Sequence, residues 1–164
     1  MRWGRPETLE YARHDSGYVS RYVIRRAAEG DALADAFAVR RAVFVDEQDV
    51  PEGIEMDECD AGATHFVAYD TARGEPVGTV RLRFPEEATG KAERVAVLRP
   101  YRGEGLGTRL MERVESDARN RGCSRVRLNA QTHVEEFYTD LGYETVSDVF
   151  YEAGIPHVEM VTDL

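Results

Sequence analysis

Cysteine, lysine and long apolar runs are what this 164-residue sequence has least of. Its 2 cysteines, Cys59 and Cys123, form no CxxC pair, which excludes a disulfide framework and leaves too few ligands at zinc spacing. No metal is therefore expected. No apolar run approaches the roughly 20 residues that span a bilayer. The opening segment MRWGRPETLEYARHDSG lacks the apolar centre of a signal peptide, so the reading is a cytoplasmic protein with no membrane partner. Lys91 is the sole lysine, acidic residues number 31 against 21 basic ones, and the formal net charge is −10. A chain of that sign repels nucleic acid, which removes DNA and RNA from the expected partners. Acid excess with almost no lysine suits adaptation to concentrated salt, where screening weakens self-repulsion. A GC-rich coding sequence that favours arginine produces the same composition.

What is present is an ordinary globular balance, 42% hydrophobic and 32% charged, in a length that fits one domain. Residues 1–18 carry no periodic pattern and read as an N-terminal arm, leaving 19–164 as a single domain. YVSRYVIRRA (Tyr18 to Ala27) reads as a strand. Asp31 is placed to cap the helix ALADAFAVRRAVFV, with Leu33, Phe37, Val39 and Phe44 on its packed face. DEQDVPEGIEMDECDAGA reads as an acidic loop. THFVAYD, PVGTVRLRF and AERVAVL then form a meander. In its second strand Val80, Leu82 and Phe84 alternate with Arg81 and Arg83, which predicts a buried apolar face and a wet arginine face.

Leu106, Leu110, Val114 and Ala118 recur four apart and predict an amphipathic helix that Gly122 ends. SRVRLNAQ is a further strand, with Val126, Leu128 and Ala130 on one face. VEEFYTDLGY is a short helix stopped by Gly142, and the tail is a hairpin turning at Gly154-Ile155-Pro156. The fold class is α+β, a mixed, mostly antiparallel sheet flanked by helices.

The most informative stretch is the bend Arg102-Gly103-Glu104-Gly105-Leu106-Gly107, where a strand becomes a helix. A helix N-terminus offers unpaired N–H groups and the positive end of a dipole, and glycine lets an anion approach the backbone. Arg99, Arg102 and Arg109 against Glu104 make this bend locally basic on an acidic chain, which points to a small anion such as phosphate or pyrophosphate. A P-loop needs Lys-Ser/Thr after its last glycine, but Thr108-Arg109 follows here. A dinucleotide fingerprint needs an acid closing the next strand, which instead ends in Asn129-Ala130-Gln131.

Arg102-x-x-Gly105-x-Gly107 resembles the R/Q-x-x-G-x-G/A signature of the GNAT superfamily of N-acetyltransferases. Phe137-Tyr138-Thr139-Asp140-Leu141-Gly142-Tyr143 resembles that family's F-Y-x-x-x-G-F/Y segment, and the order of elements matches. VRRAVFVDEQDVP and FYEAGIPHVEM resemble its ElaA-like branch. The resemblance covers about residues 20 to 164.

It implies the GNAT acyl-CoA N-acyltransferase fold and an enzyme that passes an acetyl group from acetyl-CoA to a primary amine by direct attack in a ternary complex. The strand Val95–Leu98 and the strand Val126–Gln131 would splay, with the pantetheine arm in the gap. Val95, Ala96, Val97, Asn129 and Gln131 would border that arm. Arg102, Gly103, Glu104, Gly105, Leu106, Gly107 and Thr108 would cradle the pyrophosphate. Tyr138 would touch the cofactor and protonate the departing thiolate. Family members commonly carry Asn seven residues before that tyrosine and Ala three residues further on. Here Gln131 and Val134 stand there, and Gln matches the ElaA-like branch.

For the general base the sequence offers Glu93 first, because it lies two residues before Val95 on an ideal strand. Glu47, Glu55, His157 and a water chain are alternatives. The partner class is a small-molecule or peptide amine, taken up by a monomer or homodimer. A second reading is a module that binds acyl-CoA without turning it over.

Overall fold

Strands rich in β-branched and aromatic residues, β1 (Tyr22–Ala27), β2 (Thr64–Asp70), β3 (Glu75–Glu86) and β4 (Thr89–Val97), form an antiparallel meander. The computed structural model describes residues 20–27 and 30–164. The expected N-terminal arm and the first residues of the Tyr18 strand lie outside them. β2 matches THFVAYD residue for residue and is buried along its whole length.

β5 (Arg125–Gln131) runs parallel to β4, and β8 (Ile155–Asp163) runs antiparallel to β5. The far edge of β8 takes the short strands β6 (Glu144–Thr145) and β7 (Phe150–Glu152).

Helices cover both faces because β2 is apolar on both. Phe66 and Ala68 belong to the core under α3 (Leu106–Asn120), whose stripe of Leu106, Leu110, Val114 and Ala118 is buried as expected. Burial of each such leucine or valine is worth roughly 1.5–3 kcal/mol. Val67 and Tyr69 point the other way, onto Ala36 of α1 (Asp31–Arg40). Gly122 (φ 80°) ends α3 in a Schellman motif, with Cys123 N–H donating to the Ala118 carbonyl at 3.0 Å and Gly122 N–H to that of Arg119 at 2.9 Å. α4 (Glu135–Asp140) follows β5, and Gly142 (φ 97°) stops it.

Four expectations are corrected. Gly30 (φ 94°), not Asp31, occupies the cap position of α1, and Asp31 is the first helical residue. That helix passes into a π-helical segment over Arg41–Glu47. The tail turns at Ala153 and Gly154, both at positive φ, so Ile155 already belongs to β8. In β3 the wet and dry faces are exchanged at two positions: Arg81 is 1% exposed and Phe84 is 36% exposed.

The fourth correction has its cause in the acidic loop. That segment contains α2 (Glu52–Glu55) and a single 3-10 turn at Glu58–Asp60, and it folds over β3. Arg81 reaches Asp57 at 2.6 Å and Asp60 at 3.0 Å, while Arg40 reaches Glu55 and Asp60, each at 2.6 Å. A guanidinium can be buried when carboxylates surround it, and here the loop supplies them.

Candidate active site

β4 and β5 pair only from Thr89↔Arg125 to Ala92↔Leu128, and the ladder then stops. Just beyond, β4 carries a bulge: Thr79 opposes Ala96 and Arg81 opposes Glu93, so two β4 residues, Arg94 and Val95, face the single residue Val80. Bulges bend a strand and redirect its side chains. Arg94 adopts φ 55°, a conformation that costs a non-glycine residue about 1 kcal/mol or more. Its guanidinium is anchored to Glu55 at 2.8 Å and Asp57 at 3.1 Å, which holds the bulge in place.

The gap widens into a cleft of ≈ 1060 Å³. Val95, Ala96 and Val97 line one wall, and Asn129 and Gln131 line the other. Arg102, Gly103, Gly105, Leu106, Gly107 and Thr108 line one end, with Tyr138 at the floor. Glu104 is the one residue of the expected cradle that does not line it. Its carboxylate accepts from Arg21 at 3.2 Å and from the Tyr22 hydroxyl, pointing away from the cleft.

The bend leaves room for an anion and could hold one. Gly103 (φ 82°) and Gly105 (φ 80°) sit in the left-handed region, and a side chain there would be strained. Among the described residues no side chain caps α3, and the first of its amides to find a backbone acceptor is that of Arg109, on the Gly105 carbonyl at 3.1 Å. The preceding N–H groups are free for a ligand. At Gly107 a Cβ would lie 3.0 Å from the Phe137 ring, so that glycine serves the packing of α3 on α4. Of the three arginines near the bend, only Arg102 lines the cleft. It donates to the Val97 carbonyl at 2.9 Å and to Glu47 at 2.8 Å. Arg99 also reaches Glu47, and Arg109 turns to the Tyr22 carbonyl.

Tyr138 is buried on α4, edge-on to Phe137 and Tyr143, and its hydroxyl has no hydrogen-bond partner among the described residues. Burial pushes its phenol well above the ordinary tyrosine value, so it stays a neutral donor.

Glu93 is placed differently from the expectation. Arg81 and Arg83 approach its carboxylate at 2.7 and 2.6 Å, and Lys91 at 3.1 Å. Burial alone would raise this carboxyl, but the Arg83 hydrogen bonds and the charges of Arg81 and Lys91 outweigh it and hold it at about 2. A carboxylate so held is a poor proton acceptor. The bulge at Arg94 also breaks the alternation that put Glu93 and Val95 on one face. Glu55 is buried between Arg40 and Arg94; desolvation raises it, against the pull of those cations. Glu47 is lowered, chiefly by its hydrogen bond from Arg102.

The opposite rim is polar and largely uncharged. Gln131 donates to Gln48 at 2.9 Å and accepts from it at 3.2 Å, and Asn129 donates to Glu152 at 2.8 Å. His157 lies beside them, opposite Gln131 in the β5–β8 ladder. Gln48, Arg94 and Glu152 were not among the expected site residues. Each joins the site through a partner distant in sequence, and no local pattern announces that.

Residues 26–164 match the family model described as "Acetyltransferase (GNAT) domain". The chain is 42% identical over 138 residues to YjcF of Bacillus subtilis (strain 168), named an uncharacterized N-acetyltransferase, covering 84% of this chain and 96% of that protein. It is 31% identical over 130 residues to ElaA of Escherichia coli (strain K12), covering 77% and 84%. The crystal structure of E. coli ElaA superposes with a TM-score of 0.73 over 85% of this chain and 97% of that one, at 26% identity. A crystal structure of a Lactobacillus plantarum protein gives a TM-score of 0.82 at 29% identity, over 88% and 99%.

Proposed function

This chain belongs to the acetyltransferase (GNAT) family and is an acetyltransferase, and from that premise we propose that it transfers the acetyl group of acetyl-CoA to a primary amine by direct attack in a ternary complex. The observation that carries this reading is the unpaired amide run of the Gly103–Thr108 bend at one end of a cleft whose floor holds Tyr138. We take 19–164 as one domain acting in the cytoplasm.

The fit to the co-substrate rests on the donor set. The bend offers backbone N–H groups, two left-handed glycines and the Arg102 guanidinium, which suit a pyrophosphate. The gap beyond Ala92 and Leu128 suits an extended arm that pairs with strand backbone. Holding thioester and amine together there supplies much of the acceleration. A backbone N–H of Val95–Val97 stabilises the oxyanion as the amine nitrogen bonds to the carbonyl carbon. The carbon–sulfur bond then breaks, and the Tyr138 hydroxyl protonates the sulfur. Glu93 has a structural role, locking β3 to β4 through Arg81 and Arg83.

The test is calorimetric titration with acetyl-CoA at low and high salt, with ATP and NAD as controls. Selective acetyl-CoA binding followed by amine-dependent thiol release supports the enzyme. Binding without thiol release from any amine leaves an acyl-CoA-sensing module, and no binding at either salt sinks the reading.

A further inference from the structure

We propose that His157 is the general base that takes the proton from the attacking amine. This deepens the acetyl-transfer reading and rests on it.

Three observations place His157 in that role. Its ring lies in the cleft: the residue is 8% exposed and is among those lining the cavity. Gln131 is its cross-strand partner, so the two side chains share the face of the sheet opposite α3. Gln131 stands at the end of β5 that β4 has left unpaired, so the imidazole borders the gap where the thioester is to be held.

The ring's protonation pattern is set by its own turn. Nδ1 lies 2.7 Å from the Ile155 carbonyl, which can only accept, so Nδ1 carries a hydrogen and Nε2 is the nitrogen left to exchange the proton. Phe150 stacks on the ring, with planes 22° apart and centroids 6.1 Å apart, and fixes its tilt. Nδ1 is thus engaged by its own turn, and among the described residues Nε2 has no hydrogen-bond partner.

The charged group facing it is Glu152 of β7, whose Oε2 lies 4.0 Å from Nε2. Glu159 shares its face two residues further along β8, β5 presents the neutral Gln131 and Asn129, and Gln48 reaches across to Gln131. Glu152 is itself held by Asn129 at 2.8 Å, and its carboxylate stabilises the imidazolium once the proton arrives. Three other candidates are already engaged, Glu93 by three cations, Glu55 by two, and Glu47 by Arg99 and Arg102, and the cleft's second histidine, His133, sits exposed on the segment after β5.

The step balances without a further reactant. The amine lone pair forms the new carbon–nitrogen bond, and the nitrogen's proton passes to Nε2, directly or through one water. The carbon–sulfur electrons go to sulfur, which takes the Tyr138 proton. Exchange with solvent restores both side chains.

His157→Gln tests this, with thiol release followed for benzylamine, lysine methyl ester and spermidine, and acetyl-CoA affinity measured alongside. The expected result is an acetyl-CoA Kd unchanged within about 2-fold and a kcat/KM for the best amine lowered by roughly 100-fold or more. The acidic limb of the wild-type pH profile disappears, and added imidazole partly restores the rate of His157→Ala. Glu152→Gln, at a half-exposed position, provides a second test that does not disturb the core: the acidic limb moves to lower pH. A His157→Gln protein that binds acetyl-CoA and keeps both rate and limb, or a limb unmoved in Glu152→Gln, overturns the base assignment alone. A wild-type protein that neither binds acetyl-CoA nor acetylates any of the three amines overturns this assignment together with the function it rests on.

Discussion

Arg102 and Glu47, 55 positions apart, meet across the mouth of the cleft at 2.8 Å, while the same guanidinium donates to the Val97 carbonyl at 2.9 Å. The arginine of the proposed anion cradle is thus already paired with a carboxylate. An incoming pyrophosphate must displace that carboxylate or share the guanidinium with it. Glu47→Gln removes the competitor and keeps the shape. Because partly exposed pairs are worth about 0.2–1 kcal/mol, the expected result is acetyl-CoA binding tighter by roughly 1.5- to 5-fold at low salt. The gain shrinks as salt screens the pair. Titration calorimetry at two salt concentrations checks both parts, and weaker binding in the variant contradicts the competition.

Tyr138→Phe separates catalysis from binding. The hydroxyl has no partner among the described residues, so removing it leaves no orphaned group and folding should be unaffected. If the phenol is the general acid, kcat falls by about 100-fold or more while acetyl-CoA affinity holds. Thiol release and calorimetry on the same preparation decide it. Equal kcat in both proteins means that the leaving thiolate needs no acid from the chain.

The ion cluster between β3 and β4 gives stability a pH dependence of defined sign. Glu93 is held at about 2, below the ordinary glutamate value of about 4.3. A depressed native value means that the unfolded state binds the proton more readily, so the stabilisation is complete above about pH 4.5 and is lost as pH falls toward 2. Its size is on the order of 3 kcal/mol. Asp57 and Asp60 are also lowered, because their arginine partners outweigh desolvation, and they steepen the same acid limb. Glu55, raised chiefly by burial, opposes it. Glu93→Gln should lower the midpoint of urea unfolding at pH 7 and flatten its fall between pH 4.5 and 2. A parallel fall in both proteins would remove Glu93 from the cause.

The glycine bend, the apolar stripe of α3 and the strand THFVAYD were legible because each is specified within a few residues. Gly105 needs a left-handed φ where it stands, and Leu106 and Leu110 share a face whatever lies opposite. The ElaA-like segments carried the family for the same reason. Arg81 and Phe84 were misread because alternation tells which residues share a face but not what covers it. The cover is a segment more than 20 residues earlier in the chain, whose Asp57 and Asp60 turn an arginine face into a buried one. Glu93 was misread because the bulge rests on Arg94 at φ 55°, and no glycine marks it. His157 was visible as one candidate among several, and the hydrogen bond that sets its tautomer exists only once the Ala153–Gly154 turn has formed.

Arg40 ties the core to the cleft through this same cluster. It is fully buried, bonded to Glu55 and Asp60 at 2.6 Å each and to the Glu55 carbonyl at 2.8 Å. Arg40→Met leaves Glu55 buried with only Arg94 to balance it, and breaking a buried pair from one side costs about 3–5 kcal/mol. Arg40→Met/Glu55→Leu removes the stranded carboxylate too and should recover much of that stability. It should not recover function equally, because Glu55 anchors the Arg94 guanidinium that holds the β4 bulge beside Val95. The expected outcome is a double variant with near wild-type thermal stability and a raised KM for acetyl-CoA. Melting curves together with acetyl-CoA saturation kinetics separate the two effects. A double variant that regains both stability and KM would mean that β4 holds its bulge without the Glu55 anchor.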